Sequence, residues 1–336
     1  MSPVPSTGLA GSGERVRAAA TGSLTGPLAL QGGQAAAGLR WWADQASDID
    51  LEVADDTGSA SVATVAYQRW VDEGVDILLG PYGSNLVRAV LPVVTDAGKI
   101  MWNHGGSADD LTHPLVVPLP APASTYFQRA VEIAADKGVE KVVLVAGRGP
   151  FAAAVASGAR NAATRSGLPV REIQSTEISE LAAEAAAGAA VLIVATYDQD
   201  VAVVRELHHV DAPLLACVAA GLPEFAERLG PAAEGVVGPV QWIPTAATPQ
   251  VGASGTEYSR HYQAMFESPP SYVAAQATAA GLLAEEAHRL GLTPDDVQSW
   301  QTSTLLGDFA LDESWRQVGH KTHTIHWQQG HQLPIP

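Results

Sequence analysis

The feature that most constrains this chain is an alternation of short apolar runs with longer amphipathic segments, broken once by a proline-rich stretch and then resumed. Residues 15–21, 49–54, 75–80 and 99–102 read as strands. Between them, 34–46, 59–72 and 85–97 read as helices, with Leu39 and Trp42 on one face of the first and Val62, Val65, Ala66 and Trp70 inward on the second. Strands alternating with helical periods indicate βαβ units and a parallel sheet covered on both faces. Residues 114–122 read as a connection, because proline cannot continue a central strand or helix. The alternation then restarts, with helices expected at 125–136, 152–166 and 200–208 and strands at 141–146, 191–196, 214–218 and 236–242. The alanine-rich run 182–190 fits a surface helix, and a punctuated stretch at 244–255 precedes helices at 257–266 and 272–290. Short strands follow within 305–327, and the Pro/Ser/Gly-rich residues 1–13 read as a flexible tail.

A length of 336 residues accommodates about two domains at roughly 100–200 residues each, which agrees with two α/β units. The charge balance excludes several classes: Lys+Arg 19 against Asp+Glu 36, net −17, argues against a nucleic-acid partner or a polybasic membrane surface. At 46% hydrophobic residues the chain is not an acidic disordered one. A lone cysteine, Cys217 in an apolar run, rules out an internal disulfide and a cysteine-built metal cluster. The most apolar stretch, 181–195, contains Glu184 and falls short of the ~18 residues of a spanning helix, so no membrane span is expected. The first thirty residues show no basic region followed by an apolar one, hence no secretory leader pattern.

Open parallel sheets bind ligands at the carboxyl ends of their strands. The first strand ends in Thr21-Gly22-Ser23-Leu24-Thr25-Gly26-Pro27, glycine-rich but with neither a Gly-Lys-Ser/Thr end nor a GxGxxG pattern, so no nucleotide site is expected. The third ends in Gly80-Pro81-Tyr82-Gly83-Ser84-Asn85, with Ser84 at an expected N-cap where first-turn N–H groups favour an anion. The fourth ends in Asn103-His104-Gly105-Gly106-Ser107, where exposed N–H groups of Gly105 and Gly106 would join the Ser107 hydroxyl. His-Gly-Gly is similar to an esterase oxyanion loop, but no Gly-x-Ser-x-Gly elbow accompanies it. His320 and His326 fall on one strand face and His323 on the other, so the terminal histidines do not read as a metal site, and no cofactor is expected.

These loops carry a resemblance. Thr21-Gly22-Ser23-Leu24-Thr25-Gly26-Pro27-Leu28, Ala54-Asp55-Asp56 and Gly80-Pro81-Tyr82-Gly83-Ser84, with the later Ala233-Glu234-Gly235-Val236, Pro270-Ser271-Tyr272-Val273-Ala274-Ala275-Gln276-Ala277 and His326-Trp327-Gln328-Gln329-Gly330, resemble the branched-chain amino-acid and amide-binding family of type I periplasmic solute-binding proteins. The resemblance runs in order over essentially the whole chain. It implies an α/β fold of two Rossmann-like lobes with parallel sheets, joined by a three-crossover hinge at 118–122, 242–245 and the segment before His326. The lobes would be 14–119 plus 246–300 and 120–245 plus 301–336, the last segment including the hinge return.

Carried over by position, the resemblance implies ligand contacts from Thr25, Tyr82, Gly83, Ser84, His104, Gly105, Gly106 and Ser107 on one side, and from Phe151, Tyr197, Asp198 and Trp242 on the other. Where the amino-acid binders place an acid for the ammonium, this chain has Ala219-Ala220-Gly221, with Glu224 further on. A buried ammonium without a counter-charge is costly. The implied ligand is therefore an amide, a carboxylate such as an aromatic acid, or an apolar amino-acid derivative. The implied partner is an ABC permease and the implied location extracytoplasmic. A chain lacking a leader fits instead a cytoplasmic ligand sensor of the same fold acting on a regulatory partner. An enzyme built on this fold would rest on His104 and the Asp55-Asp56 and Asp109-Asp110 pairs alone, so a non-catalytic binder is expected.

Overall fold

The computed structural model describes residues 15–336, so the expected tail at 1–13 lies outside the described residues. The first sheet contains β1 (Val16–Gly22), β2 (Ile49–Asp55), β3 (Ile77–Leu79), β4 (Met101–Asn103) and β5 (Val116–Pro118), all parallel, in the order β2-β1-β3-β4-β5. The connection expected at 114–122 thus contains an edge strand. Proline is tolerated there because Pro118 ends the strand at the sheet's rim. Helices α1 (Ala29–Gln45), α2 (Ala60–Asp72) and α3 (Ser84–Asp96) follow the first three strands, and α2 and α3 pack on the same face of the sheet. The inward stripe of α2 is Ala63, Tyr67 and Trp70, whereas Val62 and Val65 are exposed, which corrects the expected face.

The second sheet is larger. It holds β6 (Val142–Ala146), β7 (Val170–Glu172), β8 (Ala190–Val194), β9 (Leu215–Cys217), β10 (Val237–Val240), β13 (His323–Gln328) and β14 (His331–Ile335), in the order β14-β13-β10-β9-β8-β6-β7. Its first five strands in sequence are parallel, and β13 and β14 add an antiparallel edge. Helices α4 (Gln128–Asp136) and α5 (Pro150–Arg165) cover one face; α6 (Ile178–Ala186), α7 (Tyr197–Leu207) and α8 (Glu224–Leu229) lie on the other side.

The chain crosses three times. It leaves β5 for the second lobe through 119–123, and returns after β10 to helices α9 (Gly255–Phe266) and α10 (Tyr272–Leu290), of which α10 packs against α1 and β3. A short α11 (Pro294–Ser299) and a hairpin of β11 (Thr302–Thr304) and β12 (Gly307–Phe309) follow before the third crossing to β13. Trp102 of β4 packs against Trp300 and Phe309, with ring centroids 6.4 and 6.2 Å apart. The first-lobe side therefore continues past residue 300, because the hairpin completes the apolar cover over Trp102. Helices α1 and α10 approach closely: a Cβ on Gly38 would lie 2.1 Å from the Ala274 carbonyl oxygen, and one on Gly281 would lie 2.2 Å from the Trp42 ring.

Candidate functional site

Strand order reverses at β1/β3 in the first sheet and at β6/β8 in the second, and at such reversals the loops leaving adjacent strands part to form a crevice. The loops after β3 and β4 dock on each other. The Gly83 N–H donates to the Gly105 carbonyl at 3.1 Å, and the Ala108 N–H donates to Ser84 Oγ at 3.1 Å. Only glycine fits at position 105, since a Cβ there would sit 2.5 Å from Tyr82 Cα. The N-cap of α3 is Gly83, not Ser84: Ser84 is the first helical residue and its hydroxyl is turned to the neighbouring loop. The N–H groups of Gly105 and Gly106, expected to face a ligand, donate instead to Asn103 Oδ1 at 3.2 and 2.8 Å. Asn103 Nδ2 closes the ring on the Gly106 carbonyl at 2.7 Å. The loop is thus tied from within, which leaves the Ser107 side chain and the N–H groups of Ser84 and Asn85 at the start of α3 outside that ring, whereas the Leu86 N–H donates to the Gly83 carbonyl at 3.0 Å.

Across the crevice, the loop after β6 ends at Gly149, the N-cap of α5, whose second residue is Phe151; a Cβ on Gly149 would come within 4.0 Å of Asn85 Nδ2, so the two lobes face each other closely. Phe151 meets Tyr126 edge-on at 5.4 Å. Tyr126 neighbours Tyr82, and Tyr82 and Tyr272 share a hydroxyl contact, so three tyrosines from three segments gather at the crevice. Burial pushes all three phenols upward from their ordinary range. Tyr197 opens α7, whose start is fixed by a capping box between Thr196 and Gln199. Its ring lies beneath the Arg228 guanidinium at 6.0 Å, and its buried hydroxyl has no partner. Asp200, one turn on, accepts from the N–H groups of Ala195 at 2.7 Å and Ala219 at 3.1 Å and ties together the loops after β8 and β9. Burial raises its carboxyl to about 8, with those two N–H groups pulling the other way.

His104 is 1% exposed, and neither ring nitrogen has a hydrogen-bond partner. Burial lowers its imidazole to about 4, with the Gly80 backbone offsetting part of that shift. Three candidates stand apart from this group. The Thr25 hydroxyl is exposed and held by Asp55 Oδ2 at 2.7 Å. Asp198 is exposed and pairs with Arg228 at 3.2 Å. Trp242 is buried against Tyr258, and its indole donates to the Leu305 carbonyl at 3.1 Å.

Sequence reasoning set Glu224 aside as too far along the chain. The short 3-10 turn Val218–Gly221 brings it back: Glu224, at the start of α8, accepts a hydrogen bond from Gln34 Nε2 of α1 in the opposite lobe. Its other oxygen and Gln34 Oε1 are buried without partners. Burial raises the Glu224 carboxyl, and Tyr197, Tyr262 and Tyr272 all lie within its field. Tyr126 and Gln241 were also missed; a lone glutamine in the apolar run Val240-Gln241-Trp242-Ile243 was the available signal.

A groove of about 490 Å³ lies elsewhere, lined by Ile133, Leu207, His208, Pro213, His326 and Ile335 at the strand-start edge of the second sheet. It faces away from the loops at the order reversals, where the polar groups converge.

A model of the periplasmic binding protein family matches residues 15–301. The chain belongs to this family. Among solved structures, a leucine-binding protein LivK from Thermotoga maritima superposes with a TM-score of 0.83 at 16% identity, over 96% of this chain and 98% of that one. An ABC-transporter solute-binding protein from R. palustris in complex with benzoate gives 0.80 at 16% identity, over 96% and 95%. The branched-chain amino-acid substrate-binding protein LivJ from Streptococcus pneumoniae, in complex with isoleucine, gives 0.80 at 16% identity, over 95% and 97%. At these identities the structures establish a shared fold, that of the type I periplasmic binding proteins. No curated protein matches the sequence. No helix among the described residues is long and apolar enough to cross a membrane.

Proposed function

We propose that this periplasmic binding protein closes its two lobes around one small organic molecule and presents it to an ABC permease outside the cytoplasm. The observation that carries the reading is the cross-cleft pair Gln34–Glu224, with partnerless oxygens on both residues, beside the aromatic cluster of Tyr82, Tyr126, Phe151 and Tyr272. An aromatic or branched apolar body suits that cluster. A carboxylate or amide oxygen suits Ser107 and the start of α3, where N–H dipoles favour negative charge. Partnerless buried acceptors at Gln34 and Glu224 favour a ligand N–H, which supports amides and apolar amino-acid derivatives beside aromatic acids. The relatives crystallised with benzoate and isoleucine support those two ligand classes as starting points. Binding without turnover fits His104, whose ring nitrogens lack the carboxylate orienter of a general base.

The test is thermal and denaturant unfolding against benzoate, benzamide, L-isoleucine and L-leucine. At least one is expected to stabilise the protein, by about 2.7 kcal/mol at a hundredfold excess over Kd. A flat response to the whole panel would overturn the reading.

A further inference from the structure

Gln241 follows β10 on the second crossing and is 1% exposed. Its Oε1 accepts the Ala121 N–H of the first crossing at 2.7 Å, and its Nε2 donates to Tyr126 Oη. Its backbone meets the ring of His320 from the third crossing. All three crossings therefore meet at one residue. The arrangement has a direction. A backbone N–H can only donate, so the amide must turn its oxygen to Ala121 and its NH2 to Tyr126. Tyr126, having accepted, retains its own proton to give, and the Ser107 side chain is the other polar neighbour of that phenol. Ser107 is itself tied to this region, its carbonyl accepting the Ala123 N–H at 2.8 Å.

We infer that Gln241 is a positioning residue that links the three hinge crossings to the ligand loop and orients the chain Gln241 → Tyr126 → Ser107, so that the cleft offers a hydroxyl donor to an acceptor oxygen of the ligand. The ligand half of this inference rests on the proposed solute-binding role of Ser107.

The experiment compares wild type with Gln241→Glu and Gln241→Met, using benzoate as the acceptor probe and benzylamine as the donor probe in calorimetric titrations. Hydrogen exchange is measured on the ligand-free proteins. The introduced carboxylate keeps the acceptor for Ala121 but cannot donate to Tyr126, so the chain reverses. Benzoate affinity of Gln241→Glu should fall about tenfold at pH 7.5 relative to wild type. At pH 5.5, where the introduced buried carboxyl takes up a proton and can donate again, the ratio should return toward one. Tyr82, Tyr126 and Tyr272 are pushed upward and His320 is lowered to about 3, so these neighbours keep their charge over that range; His323, opposite Val240 and lowered by burial, is common to wild type and variant and cancels in their ratio. Gln241→Met should lose affinity at both pH values and speed exchange at 104–110 and 119–123, whereas Gln241→Glu should preserve that protection.

Equal loss for Gln241→Glu at both pH values, or no loss at pH 7.5, would overturn the inferred direction. So would wild type that binds benzylamine but not benzoate, with solute binding itself upheld. If wild type binds neither probe nor any member of the earlier panel, the functional reading fails, and the exchange data alone decide the hinge role: unchanged protection in Gln241→Met overturns it.

Discussion

Single buried residues set the pH response of this molecule. The imidazole of His104 is lowered to about 4 and that of His320 to about 3, so the unfolded chain takes up these protons first as the solution is acidified. Their contribution is complete above the ordinary histidine range near pH 6.5 and is lost as pH falls through it toward the folded values. Asp200 acts in the opposite sense: with its carboxyl raised to about 8, its contribution is greatest below the ordinary range of an aspartate and is lost as pH rises toward 8. Because the two windows overlap, the pH profile of the whole protein blurs them, and a difference between variants separates them. Replacing His104 with Asn should flatten the acid limb. Between pH 7 and pH 4, wild type should lose roughly 3 kcal/mol relative to the variant in urea unfolding. Parallel profiles would refute a neutral buried imidazole. The sequence showed His104 and its glycines but not their surroundings. Asn103 satisfies the two N–H groups expected to face the ligand, and side-chain direction at a strand end is a tertiary property that no local pattern encodes.

At the scale of elements, the alternation in the sequence located most helices and strands because a doubly covered parallel sheet needs that periodicity. It failed where local chemistry and tertiary need diverged. Strand β5 was hidden by the prolines around it, yet an edge position with Val116 and Val117 buried tolerates them. On α2 the β-branched Val62 and Val65 drew the inward face away from Ala63 and Tyr67, although Tyr67 had the better reason to be inside, its hydroxyl reaching the Leu79 carbonyl. The packing of α1 on α10 yields a matched prediction. Gly38→Ala places a methyl 2.1 Å from the Ala274 carbonyl and should cost at least ~1–3 kcal/mol as the helices are forced apart. Gly33→Ala, about a turn and a half earlier on the same helix, meets nothing within 4 Å and should instead stabilise by roughly 0.5–1 kcal/mol through helix propensity. Urea midpoints of the two variants should therefore move in opposite directions. A shift of the same sign in both would mean that the α1–α10 approach is looser than described.

For the molecule as a whole, the question is what holds two lobes shut when each has its own sheet and core. The Gln34–Glu224 hydrogen bond joins residues 190 apart in sequence, on helices of opposite lobes. It was illegible in the sequence, because the acid lies beyond the position where the family pattern places one, and the 3-10 turn that carries it into the cleft has no strong local signal. On the proposed lobe-closing function, such a bond forms only once the lobes have met, so it takes no part in the first encounter of ligand with an open lobe. Its loss should appear in dissociation and not in association. Gln34→Ala removes the donor and leaves a buried carboxyl short of a partner, a change worth about 1–3 kcal/mol when one side is a charged group. With whichever panel compound stabilises the wild type, stopped-flow tryptophan fluorescence should show dissociation about tenfold faster or more and association changed less than about twofold. Slower association with unchanged dissociation would place the pair in the open protein and remove it from the closing mechanism.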